Sequence, residues 1–225
     1  MKQQIIYSAL FFALLVVCMT SCRKIAGLGL QTDTDHETST LDPHIHKTAW
    51  QFLKERSVLK QPDTVFKRMY DAIIYSGIDT AEYTKAGRTF IFLHNDAVFR
   101  AAQATATDTY WGRYKVNNAV AKSWTQYTPQ QVKNWLLYLI VQDEYSYDNL
   151  GSENVELKTL LPEGADAANP RSVMYLKLSN DRDSRVRVND FINSVRVTVG
   201  RTSGILSDNG PIHVVDRVVE YGVKP

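Results

Sequence analysis

Asp208-Asn209-Gly210-Pro211-Ile212-His213-Val214-Val215-Asp216-Arg217-Val218-Val219 is the stretch that decides how this chain folds. Asn209-Gly210 is a turn signal, since glycine reaches positive φ without strain and asparagine tolerates it. The residues after it alternate between apolar and polar, and the spacing predicts a strand over 212–219. In that period His213 faces away from Ile212 and Val214. It is either a ligand contact or titratable base, or a hydrogen-bonded strand histidine that orders the turn, and the second is the simpler use. Asp216, three positions on, falls on the opposite face from His213, which weakens a catalytic pairing of the two.

Working upstream, short strand signals crowd the second half of the chain. Val155 to Leu161, Val173 to Leu178, Val186 to Val188 and Val195 to Val199 are separated by the turn at Asp148-Asn149-Leu150-Gly151, the loop over 162–170 and the charged turn at Asp181-Arg182-Asp183. Helix signals dominate the first half. Thr48 can cap a helix carrying Trp50, Phe52, Leu53 and Val58. A second helix starts around Pro62-Asp63-Thr64, places Val65, Phe66, Met69, Tyr70, Ile73 and Ile74 on one face, and stops at Gly77. Arg88 to Leu93 is a buried strand, after which Asn95-Asp96 caps a helix with Ala97, Val98 and Phe99. Ala101 to Asp108 is irregular. Thr128-Pro129-Gln130-Gln131 is a strong helix start, followed by Val132, Trp135, Leu136, Leu139 and Ile140. Helices followed by strands give an α+β class, and no internal repeat is present.

The N-terminus reads as an export signal over residues 1–21. Lys2 gives a positive start, and Ile5 to Met19 is an apolar run interrupted only by Tyr7 and Ser8. It is shorter than the roughly 20 apolar residues of a membrane-spanning helix and fits a signal-peptide core. Met19-Thr20-Ser21-Cys22 resembles a bacterial lipobox, which implies cleavage before Cys22 and acyl chains (palmitate among them) on it. Cleavage nearby as an ordinary secreted protein is the alternative. The polar stretch over 22–46, with QTDTDHETST at 31–40, reads as a tether, and His36, His44 and His46 read as solvated linker residues. The two cysteines, Cys18 and Cys22, leave the mature domain without disulfide or thiol chemistry. Residues 47–222 would form one domain held by an apolar core.

Composition narrows the function. Twenty-six basic against 24 acidic residues, with no long basic block, argues against nucleic acid. No phosphate-cradling glycine loop, metalloprotease helix or nucleophile elbow is present, so neither a cofactor nor an enzyme is expected. Ser203 and Ser207 lie near His213 in sequence, which leaves a hydrolase as the least favoured reading. Twelve tyrosines and four tryptophans are a generous supply of rings for core and surface.

Three segments, in order, resemble one family. Thr89 to Phe99 (TFIFLHNDAVF) is similar to the first motif of the fasciclin domain, with Leu93-His94 where the family usually shows a proline. Trp135 to Val141 (WLLYLIV) resembles its middle segment. Tyr138 matches the family's tyrosine there, and Leu139 stands where a histidine is common. Ile205 to Val219 resembles the second motif, with Asn209, Gly210, His213 and Asp216 in place. The resemblance implies a small wedge-shaped sandwich of strands with helices packed against it. It also implies a non-catalytic module for adhesion, contacting protein or polysaccharide.

Partner contact is expected at aromatics in turn-rich segments. Tyr110-Trp111-Gly112-Arg113-Tyr114 is the clearest group, since flat rings stack on sugars and arginine adds hydrogen bonds. The alternative is that Trp111 packs this segment onto the domain. Tyr145 and Tyr147 form a second patch, and Asp96 either contacts a partner or ties down its own motif. The expectation is an outer-membrane lipoprotein of the cell envelope, on either face, attached to the membrane by its lipid. An accessory subunit of a surface glycan-uptake complex is the alternative.

Overall fold

Two four-stranded sheets and a set of short helices make up the domain in the computed structural model, which describes residues 24–25, 28–29, 42–60, 62, 64–191, 197–198 and 202–221. The chain divides into two units, Met1–Asp42 and Pro43–Pro225. In the first, strands β1 (Lys24–Ile25) and β2 (Leu28–Gly29) pair antiparallel. The expected signal over 1–21, Cys22 and most of the tether lie outside the described residues. So do Asp63, Val195 and Val199.

Capping chemistry sets where the helices of the second unit begin. Helix α1 (Ala49–Lys54) starts at a reciprocal box in which Thr48 and Gln51 each bond the other's backbone, and it runs on as a π-helical turn over Glu55–Leu59. Helix α2 (Lys67–Ser76) begins three residues later than Thr64 and ends at Gly77, whose φ of 62° is the left-handed stop. It buries Met69, Ala72 and Ile73, whereas Ile74, expected on the same face, is 56% exposed. Strand β3 (Arg88–Leu93) leads into α3 (Asn95–Val98). The cap of α3 is His94, whose Nδ1 accepts from the Asp96 amide, and not Asn95 or Asp96. Asn95 instead ties α3 to α2, accepting from the Arg68 amide and donating to the Thr64 carbonyl. Helix α4 (Tyr110–Arg113) is capped by Thr109. Helix α5 (Pro129–Tyr138) has the Thr128–Gln131 box and ends one residue before Leu139, after which Ile140 belongs to a strand.

The principal sheet has the order β4-β3-β10-β9, with β4 (Ile140–Gln142), β9 (Thr202–Ser207) and β10 (Gly210–Val215). β10 lies parallel to β3, Ile212 facing Phe90 and Val215 facing Leu93, and antiparallel to β9. Both central strands are buried on both faces, so they read as apolar runs without clean alternation. The last strand ends at Val215, shorter than the expected 212–219, because the chain bends at Asp216 and Arg217. The second sheet has the order β5-β6-β7-β8, with β5 (Val155–Lys158), β6 (Val173–Leu178), β7 (Val186–Val188) and β8 (Val197–Thr198), antiparallel throughout. A bridge from Val141 to Thr159 and the Leu160 amide on the Ile140 carbonyl (2.9 Å) join the sheets' ends.

The expected α+β class holds. His44 bridges Leu206 of β9, and the Ile45 amide bonds the Leu206 carbonyl at 2.9 Å, so the domain begins a few residues before Lys47.

Candidate functional site

The β9–β10 hairpin carries the residues singled out first. Its two loop residues are Asp208 and Asn209, and Gly210 is already paired with Ser207. Asn209, though in the loop, does not take a positive φ. It is buried, and its Oδ1 accepts from the Ala49 amide (2.8 Å) and from Ser207 Oγ (3.2 Å). Its Nδ2 donates to the carbonyls of Tyr83 and Lys85 (3.1 Å each). Gly210 has a φ of 138°, and a Cβ there would come within 1.8 Å of the Arg88 carbonyl oxygen, so only glycine lets β10 lie against β3.

His213 has no exposed surface. The Gly204 amide donates to its Nδ1 (3.2 Å), which makes Nε2 the protonated nitrogen, and that donates to the Tyr145 carbonyl (2.9 Å). Burial holds its pKa down at about 4, against a smaller upward pull from the Tyr145 carbonyl. Neither nearby serine engages the ring. Ser207 Oγ donates to the Gly210 carbonyl, and Ser203 Oγ bonds the Tyr147 hydroxyl. Asp216 lies beyond the strand end, its carbonyl held by Arg100 at 3.0 Å. The hairpin thus places His213 as a structural residue and does not bring it together with Ser203, Ser207 or Asp216.

Tyr138, the middle-motif tyrosine, is buried, and its hydroxyl accepts from Asn189 Nδ2 at 2.9 Å. Burial pushes its phenol pKa up. Asn189 also donates to the Glu220 carbonyl and accepts from the Tyr175 amide, so it joins α5, β6 and the segment after β10. Of the Tyr145–Tyr147 pair, Tyr147 is 43% exposed. The Tyr147 ring lies over Gly204, where a Cβ would meet it at 2.8 Å, and Tyr145 is half-buried.

The group at 110–114 turns inward. Tyr110 and Trp111 are only 4% and 7% exposed. Tyr110 packs on Trp135 with ring centroids 4.1 Å apart, and Trp111 meets Phe99 and Trp124. The exposed-aromatic reading of these two is corrected: a four-residue helix seats both in the core, and Gly112, whose Cβ would strike the Ala106 carbonyl oxygen at 1.9 Å, lets α4 lie close against the segment before it. Arg113 is exposed and ion-paired with Glu220. Arg68 covers Phe99 and Trp111 with its guanidinium carbon 5.3 and 5.8 Å from the ring centres. Asp96 keeps to its own motif: its carboxylate lies 3.1 Å from His94 Nδ1, the nitrogen that accepts its backbone amide, and the two are an ion pair only when the ring is protonated.

Tyr114 opens onto a depression of about 550 Å³ that sequence reasoning reached only through this residue and Tyr110. Tyr110, Tyr114, Tyr127 and Tyr221 supply its rings, Asn117, Gln126, Gln131 and Asn134 its amides, and Lys115 and Asp166 its charges. The Tyr127 hydroxyl donates to the Tyr114 carbonyl at 2.6 Å, fixing one wall to the other. Burial pushes the Tyr127 phenol up to about 12 and raises Tyr114 and Tyr221 as well, so all three stay neutral hydroxyls at ordinary pH. Gln131 and Asn134 stand one turn apart on α5 and Gln126 on the short turn before it, so their spacing is local, but nothing in it marks a cavity.

The described residues hold no cluster of three or more potential metal ligands, and among them no helix is long and apolar enough to cross a membrane. No family model matches the chain, and no curated protein matches it. Among solved structures, the chain is similar to a FAS1 domain pair from the insect cell adhesion molecule fasciclin I. The identity is 14% and the TM-score 0.46, over 69% of this chain and 45% of that one, so this chain spans less than half the length of the pair.

Proposed function

We propose that this chain is a fasciclin-like, non-catalytic binding module of the adhesive type. It is held at the cell envelope by acyl chains on Cys22 and engages protein or polysaccharide partners. One observation carries the reading: two of the segments that resemble fasciclin motifs, Thr89 to Phe99 and Ile205 to Val219, meet side by side as β3 and β10 at the centre of the principal sheet. The commitment of both His213 ring nitrogens to backbone groups supports the non-catalytic part, since a general base needs a free lone pair aimed at a substrate proton.

The test has two readouts. Mass spectrometry of the protein from membranes is expected to find an acylated N-terminal Cys22. Beads coated with residues 43–225 are expected to bind cells or envelope material saturably. An unmodified N-terminus elsewhere removes the anchor. Beads that bind neither remove the adhesive role, and hydrolytic turnover abolished by His213→Ala overturns the non-catalytic one.

A further inference from the structure

The depression beside Tyr114 has a polarity that its outline does not reveal. Three of its carboxamides are half used. Gln131 Oε1 accepts from the Thr128 amide (3.0 Å) in the box that starts α5. Gln126 Oε1 accepts from the Lys122 and Ser123 amides in the equivalent box one turn upstream. Asn134 Oδ1 accepts from Gln130 Nε2 (2.6 Å). For Gln126 and Gln131 the partner is a backbone N–H, which can only donate and so identifies the bound atom as the oxygen; the Gln130–Asn134 bond is amide to amide, with Gln130 as the donor. The amide nitrogens of Gln126, Gln131 and Asn134 make no hydrogen bond among the described residues, so two capping boxes and one helix-face pair leave three NH₂ groups at one cavity.

Acceptor capacity comes from Asp166. One of its oxygens takes the Ala168 amide at 2.8 Å, and the carboxylate has further lone pairs. Lys115 is the cation on the same wall, so the lining charges offset each other, and Arg113 is already spent on Glu220. The half-buried rings of Tyr114 and Tyr221 supply apolar surface edged by neutral hydroxyls, while Tyr127 is buried against Tyr110 and Trp124. A volume of about 550 Å³ lies within the usual range for small-ligand sites.

A ligand for this lining must offer several acceptors to the amides and a donor or two to Asp166. It must carry no net charge and present a flat apolar face to a ring. A pyranose sugar does all four: its hydroxyls both donate and accept, and its axial C–H face is apolar. We propose that the depression lined by Tyr114, Tyr127, Tyr221, Asn134, Gln131 and Asp166 is a binding site for the end of an uncharged oligosaccharide. A carboxylate or sulfated sugar fits less well, because Asp166 would face its charge without a surplus cation to answer it. The inference deepens the binding-module reading and rests on it for the role of the site, though not for its chemistry.

The test is ¹⁵N NMR of residues 43–225 titrated with neutral disaccharides (maltose, cellobiose, chitobiose and mannobiose) and with a galacturonate disaccharide as the charged control. At least one neutral sugar is expected to shift the side-chain amide signals of Asn134 and Gln131 saturably in the millimolar range or below. Asn134→Ala and Asp166→Ala are each expected to weaken that binding at least tenfold with the rest of the spectrum unchanged. Shifts caused by the charged sugar alone, equal affinity in both variants, or no saturable shift from any sugar would each overturn the assignment. If sugars fail while coated beads still bind cells, the site falls and the binding-module reading stands. If sugars bind and beads do not, the site stands and the adhesive reading falls.

Discussion

At the scale of single residues, Asn209 and His213 show how much a short motif can hold. Asn209 looks like half of a turn signal, yet its carboxamide joins the first turn of α1, the loop before β3 and the β9–β10 hairpin. A turn role alone predicts that Asn209→Gly is neutral within about 0.5 kcal/mol. The four side-chain bonds predict a loss of about 3 kcal/mol or more in urea unfolding, since the buried Ala49 amide and two carbonyls lose their partner. His213 gives a prediction in pH. In the unfolded chain an imidazole takes its proton near 6.5, whereas the folded one resists until about 4. Below pH 6.5 the unfolded state therefore binds the proton first, and stability falls with pH through that window. Between pH 7 and pH 5 the protein should lose about 2 kcal/mol more than the His213→Gln variant does. Equal losses would mean that the ring is solvated. The role of Asn209 was not legible beforehand, because its partners are far away in sequence; His213 was legible as a hydrogen-bonded strand histidine, but not its Tyr145 partner. Gly210 was legible as a glycine requirement, and the reason proves to be the Arg88 carbonyl as well as the turn.

At the scale of elements, local chemistry read well where the signal was itself local. The threonine boxes at Thr48 and Thr128, the stop at Gly77 and strand β3 stand where the sequence puts them. Errors came where a neighbour decides. Ile74 fits the apolar period of α2 but faces solvent, because the helix is covered on only one side. Tyr110 and Trp111 sit in a segment short enough to pass for a turn, yet a single helical turn places both rings in the core. His94 caps α3 with a ring nitrogen, a use that residue type rarely signals. The boxes also allow a test of their own worth. Thr128→Ala removes the hydroxyl that takes the Gln131 amide and should cost about 1 kcal/mol in thermal or urea unfolding. A change under about 0.3 kcal/mol would mean that α5 is held by packing alone.

At the scale of the whole domain, the class and the order of elements were open to sequence reasoning, because periodicity is local and class follows from its order. Which strands become neighbours was not. Nothing in RTFIFL or GPIHVV states that they will lie parallel, and that pairing sets the sheet, the burial of His213 and the glycine at 210. The candidate site was legible only at Tyr110 and Tyr114. Gln131 and Asn134 lie on α5 and Gln126 on the turn before it, and their place beside Tyr114 depends on α4 packing on α5 through Tyr110 and Trp135. The parallel neighbour of β3 has a consequence in time. Ile212 follows its partner Phe90 by roughly 120 residues, and at ribosomal speeds of about 5–20 residues per second that is on the order of ten seconds. Through that interval β3 is a greasy, half-paired strand with one edge vacant. A nascent chain in that condition is an open invitation to chaperones and to strand-swapping with its own kind, until the latecomer slides into the gap and shuts it.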